Sequence, residues 1–104
     1  MTRFDVYANP DATERKHTPF FLDVQNDYID HLATRVMVPL RREALFGPRP
    51  QRLNPLLTFG TDKLVLDSAA LGAVPLSELR KPVGHLRDAR FDIQDALDTL
   101  YGSH

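Results

Sequence analysis

At 104 residues, 42% hydrophobic and 26% charged, the chain has the size and composition of one compact globular domain spanning 1–104, with no compositional sign of disorder. Its formal net charge of -1 argues against a domain built to neutralise phosphates, so no direct nucleic-acid partner is expected. Cysteine is absent, which removes disulfides, thiolate zinc sites and cysteine nucleophiles together and suits a reducing cytosol.

The opening Met-Thr-Arg-Phe-Asp is charged where a signal peptide needs an apolar run, and no stretch approaches transmembrane length. A cytoplasmic protein without a membrane partner is expected. A domain this small buries a modest share of its surface, which favours association with a second copy.

The first two-thirds has the period of strands. In "RFDVY", Phe4 and Val6 face one way and Arg3, Asp5 and Tyr7 the other. In "FFLDVQ", Phe20, Leu22 and Val24 alternate with Phe21, Asp23 and Gln25, so both segments read as half-buried strands. "TRVMVPL" is rich in β-formers, with Pro39 closing it or placing it at an edge. "LLTFGTDKLVLD" reads as a hairpin turning around Gly60-Thr61-Asp62.

The polar, proline-bearing stretches "ANPDATERKHTP" and "RREALFGPRPQR" read as surface loops. The second carries Arg41, Arg42, Arg49 and Arg52 against Glu43, which is either a solvated loop or a basic patch for an acidic partner.

From about Asp88 the period changes. Ile93, Ala96, Leu97, Leu100 and Tyr101 share one face of a helix, with Asp88 as the expected N-cap and Gly102 as its C-terminal glycine. Asp92, Asp95 and Asp98 lie opposite. Asp98 sits in the last turn, where the helix dipole disfavours an acid by about 0.3 to 1 kcal/mol.

Motifs for catalysis are missing. His17, His31, His85 and His104 show no metal-ligand spacing, and there is no phosphate-binding or serine-hydrolase signature. Asp23, Asp27 and Asp30 in "DVQNDYID" lack the spacing of a calcium loop and suit turn chemistry between strands. No catalytic residue, metal or cofactor is expected.

"FFLDVQNDYIDHLATRVMVPL", with "RFDVY", "LNPLLTFG", "AVPLSEL" and "DIQDAL", resembles the CcdB family of toxin-antitoxin toxins that poison DNA gyrase. The resemblance runs the length of the chain and is most specific at Asp23, Val24, Gln25, Asp27, Ile29 and Asp30, followed by Arg35, Pro39 and Leu40. The N-terminal loop is longer than the family pattern, a change that surface loops tolerate.

The resemblance implies a mainly β fold with a C-terminal α-helix, an SH3-like small β-barrel of the CcdB/MazF type, assembled as a homodimer. It implies binding to the gyrase A subunit, with trapping of the cleavage complex and neutralisation by a CcdA-like antitoxin. By position, the target-binding residues are Tyr28 and Ile29 after the DVQ strand and, at the helix end, Asp98, Tyr101, Gly102, Ser103 and His104. Arg41, Arg42, Arg49 and Arg52 are the expected antitoxin-binding residues. Gyrase-poisoning members end in Trp-Gly-Ile, whereas this sequence ends Tyr101-Gly102-Ser103-His104 and contains no Trp. Two alternatives therefore stand beside gyrase poisoning: a relative that binds antitoxin but has lost or changed its target, and a MazF- or Kid-like ribonuclease toxin.

Overall fold

The computed structural model of the chain describes residues 2–102. Among them, the order is β1 (Asp5–Ala8), β2 (Phe20–Asp23), β3 (Thr34–Arg42), α1 (Glu43–Phe46), β4 (Leu56–Phe59), β5 (Asp62–Leu66), β6 (Gly72–Pro75), β7 (Gly84–His85) and α2 (Arg90–Tyr101). The strands form an antiparallel sheet in the order β4-β5-β3-β2-β1-β7, with β6 also paired to β3. This sheet curls into a half-barrel with α2 packed on it, so the chain has the mainly β, small-barrel architecture with a C-terminal helix that the resemblance implies.

β3 is the spine. One of its edges pairs with β2, and the other pairs first with β6 over Thr34–Met37 and then with β5 over Leu40–Arg42. Pro39 does not close this strand or mark an edge, as its sequence context suggested. It falls between the β6 and β5 pairings, where its carbonyl accepts the Asp67 N–H at 3.1 Å. Its nitrogen faces the same gap, so the missing N–H costs no ladder hydrogen bond.

The hairpin forms as its turn residues require. Phe59 pairs with Asp62 across Gly60-Thr61, and Gly60 has φ of 61°.

Val6, Leu22, Val38, Leu40, Leu64 and Leu66 share one face of the sheet, and Ile93, Ala96 and Leu97 of α2 cover it. Each fully buried aliphatic side chain contributes about 1.5 to 3 kcal/mol against exposure. The period-2 reading of half-buried strands is too simple for β1 and β2, because the opposite face is buried as well. It holds Tyr7, Asp23, Arg35, Met37 and Val65 at 1% exposure or less. Curling is the reason. The connection after β6 is tied to the residue preceding β3 by Leu76 N–H to the Ala33 carbonyl and to β1 by Val83 N–H to the Val6 carbonyl, so it bridges the sheet from the start of β3 to β1.

Two boundaries differ from the sequence reading. Arg41 and Arg42 are not loop residues but the end of β3, paired with Val65 and Leu64, and Glu43–Phe46 makes one helical turn. Asp88 is not the N-cap of α2. It lies in a 3-10 turn, Arg87–Ala89, that leads into the helix through Ala89, and Asp92 is the acid of the first helical turn. At the other end Gly102 adopts φ 76°, ψ 33° and donates its N–H to the Asp98 carbonyl, the left-handed stop expected of a glycine there.

Candidate functional site

The segment between β2 and β3 is an arm that presents apolar side chains to solvent. Its backbone is held from within. Gln25 donates its own N–H to Asp23 Oδ1 at 3.0 Å, accepts the Val36 N–H on Oε1 at 3.0 Å, and donates from Nε2 to the Ile29 carbonyl. Asn26 accepts the Tyr28 N–H on its side chain at 2.9 Å and the Ile29 N–H on its carbonyl at 3.0 Å, a turn that side-chain amides favour. The outcome is Tyr28 at 93% exposure, with Ile29 and Leu32 also exposed.

Beneath the arm lies a buried ion pair. Arg35 donates from Nε and Nη2 to the two carboxylate oxygens of Asp23, each at 2.9 Å, and both side chains are almost wholly excluded from solvent. Burial pushes the Asp23 carboxyl up from its ordinary range, and the bonds from Arg35 and the Gln25 N–H pull against that. The Arg35 Nη2 also reaches the Gln25 carbonyl at 3.4 Å and Asp27 at 3.6 Å, tying the start of the arm to β3. Sequence reasoning read Asp23 as a turn residue and gave Arg35 no role; Asp23 does accept the Gln25 N–H, but it lies buried at the end of β2 and its main partner is Arg35. A lone arginine inside a β-rich run was the available signal.

The second element is the end of α2. Ile93, Ala96 and Leu97 anchor the helix, while Tyr101 is 69% exposed and Asp98 is partly exposed. A cleft of about 310 Å³ opens between Gln25 and Asn26 on the arm side and Asp98 and Tyr101 on the helix side, with Val36, Leu71 and Leu97 in its lining. The fold thus brings the helix end to the base of the arm that carries Tyr28 and Ile29. Gly102 caps the helix beside them; Ser103 and His104 lie outside the described residues.

The arginines are spread over several partners. Arg41 pairs with Asp67 at 2.6 Å and donates to Thr18 Oγ1, and Arg42 pairs with Asp62 at 3.2 Å. Arg49 donates to the Asn54 carbonyl at 2.8 Å, and Arg52 pairs with Asp95 of α2 at 3.1 Å. The half-exposed pairs among these contribute little to stability because water screens them.

Among the described residues, no group of three or more His, Asp or Glu is placed to hold a metal ion, and no helix is long and apolar enough to cross a membrane. The buried carboxylate is locked to an arginine. What the surface offers is shape and charge: two exposed tyrosines, an isoleucine and an aspartate on neighbouring elements, suited to a protein partner. A family model described as "CcdB protein" matches residues 3–102.

Proposed function

The chain belongs to the CcdB family of toxin-antitoxin toxins, and from that membership we propose that it acts as a homodimer in the cytoplasm, binds the DNA gyrase A subunit, and traps the cleavage complex. The action is stoichiometric. The dimer wedges between gyrase A subunits while DNA is cut and blocks religation, so the chain needs no catalytic residue or cofactor of its own.

The observation that carries this reading is the free helix end, where Tyr101 is 69% exposed beside Asp98 and next to the arm. Tyr28 and Tyr101 supply flat aromatic anchors and Ile29 an aliphatic one, and Asp98 supplies an acceptor for a basic protein surface, with Gly102, Ser103 and His104 continuing the contact. A CcdA-like antitoxin neutralises the toxin through a disordered segment that folds on it. An acidic segment of this kind docks along Arg41, Arg42, Arg49 and Arg52, exchanging for the present carboxylate partners of Arg42 and Arg52 at the half-exposed pairs.

One sequence feature favours a second reading. Gyrase-poisoning members carry a Trp at the helix end, and this sequence has none, with Gly102 or Tyr101 in its place according to whether the alignment is gapped, which supports a toxin that has kept its antitoxin and changed its target.

Supercoiling and cleavage-complex assays with gyrase from the protein's own host separate the two. Trapped complexes at stoichiometric dimer establish a working poison. A folded chain that leaves gyrase untouched overturns the first reading in favour of the second.

A further inference from the structure

The arm and the helix end come from segments about 70 residues apart, yet a single polar chain joins them. Arg3 stands at its centre. Its backbone N–H donates to Asp27 Oδ1 at 2.8 Å and its Nε to the Val24 carbonyl at 3.2 Å, both in the arm. Its Nη2 donates to Gln94 Oε1 at 2.7 Å, and Gln94 Nε2 donates in turn to Asp98 Oδ1 at 3.0 Å. The two ends of the Gln94 amide are therefore committed in opposite senses, oxygen to the guanidinium and nitrogen to the carboxylate, which leaves one orientation that satisfies both.

A backbone outlier sits beside this chain. Phe4 has φ of 73°, a conformation rarely adopted by a bulky residue, and it is kept there by its N–H to the Asp23 carbonyl at 2.7 Å and by its carbonyl accepting the Leu86 N–H at 2.8 Å. The reversal at Phe4 leads the chain into β1, and the Arg3 guanidinium lies 4.8 Å from the Phe4 ring centroid. Strain of this kind persists when the surroundings over-determine it. The charge order is also consistent: the Arg3 cation is relayed through the Gln94 dipole to the Asp98 carboxylate, which the helix dipole alone disfavours.

We propose that Arg3 and Gln94 are positioning residues that form a strut, Asp27–Arg3–Gln94–Asp98, fixing the arm and the end of α2 in one relative geometry so that both engage the target together. This rests on the target-binding reading above. Neither residue is required to touch the target for the strut to act, because its effect is to pre-order two contact elements before binding.

The test uses Gln94→Met, placed on α2 and remote from the arm backbone, followed by amide hydrogen exchange on the free protein. The expected result is exchange at the Ile29 N–H at least about tenfold faster, the lower end of what loss of a charge-assisted hydrogen bond produces, with the β4–β5 amides unchanged. Gln94→Glu is the discriminating partner. It keeps the acceptor for Arg3 but places a carboxylate opposite Asp98, so Ile29 stays protected while the Gly102 N–H exchanges faster.

Unchanged exchange at Ile29 in Gln94→Met, or a uniform rise across the chain, overturns the strut. These readouts need no gyrase. With gyrase A added, Gln94→Met should dissociate about tenfold faster than the parent, and equal dissociation rates also overturn the proposal. A parent chain that does not bind gyrase A counts against the target reading instead, and the exchange measurements then decide the strut alone.

Discussion

Tyr101→Ala separates contact from packing at the helix end. An aromatic side chain buries about 150 to 250 Å² when fully covered, and Tyr101 is 69% exposed in the chain. Roughly a third of that area, about 60 Å², is thus covered within the fold, worth about 1.5 kcal/mol at most at 25 cal/mol per Å². Alanine returns about 0.5 kcal/mol through helix propensity, so the net loss of stability is about 1 kcal/mol and the melting temperature moves by a few degrees. The remaining area, about 140 Å², is available to a partner and corresponds to about 3.5 kcal/mol, or several hundredfold in affinity.

Thermal melting and size determination, run beside equilibrium binding to gyrase A and a growth-inhibition assay, read the two effects separately. The expected variant dimerises like the parent and melts only a few degrees lower, but loses several hundredfold in gyrase affinity and no longer arrests growth. A loss of 3 kcal/mol or more in stability would place Tyr101 in the core. Unchanged gyrase affinity would place the anchor elsewhere. Tyr101→Trp should act in the opposite direction and tighten binding by about tenfold, since it adds apolar area at the same exposed position.

Other expectations concern the buried polar face of the sheet. Tyr7 is 1% exposed, its Oη has no hydrogen-bond partner among the described residues, and burial, with Asp5 and Asp23 adding to it, pushes its pKa from 10.0 up to about 12. The unfolded chain therefore loses the Tyr7 proton first as pH rises, so this contribution is fully present below pH 10 and about 2 kcal/mol of it is gone by about pH 12. Denaturant midpoints at pH 9 and 11.5 should fall less in Tyr7→Phe than in the parent, and parallel falls would refute the assignment. Arg35→Met leaves the Asp23 carboxylate buried and unpaired and should cost about 3 to 5 kcal/mol in urea unfolding, much of it recovered in the double variant Asp23→Leu/Arg35→Met. Gly84→Ala would place a Cβ 2.7 Å from the Phe59 ring and should cost about 1 to 3 kcal/mol by chemical denaturation; a neutral result would mean that the ring moves freely.

Local chemistry made much of the fold legible. Alternation located the strand segments, Gly60 located the hairpin, and the spacing of Ile93, Ala96 and Leu97 located the buried face of α2. Each depends on neighbours within a few residues, as turn geometry and side-chain period do. The short strands β6 (Gly-Ala-Val-Pro) and β7 (Gly-His) carry no such signature, because they lack alternating apolar residues and take their conformation from β3 and β1. Pro39 reads as a strand breaker until the partners on either side of it are known. Asp98 looked misplaced by the dipole rule alone; the helical i, i+4 spacing already puts Gln94 beside it, and only the fold brings Arg3 to Gln94.

By itself, then, the sequence determined the extended character of the β1, β2, β3 and β4–β5 segments, where the hairpin reverses and which helical stripe is apolar, since those follow from intrinsic backbone preference and periodicity. The tertiary structure alone decided that the β1–β3 face opposite α2 is buried, that Asp23 and Arg35 meet inside it, and that Arg3 spans the arm and the helix end. Those outcomes depend on sheet curvature and on contacts between residues far apart in the chain, and no local pattern encodes either.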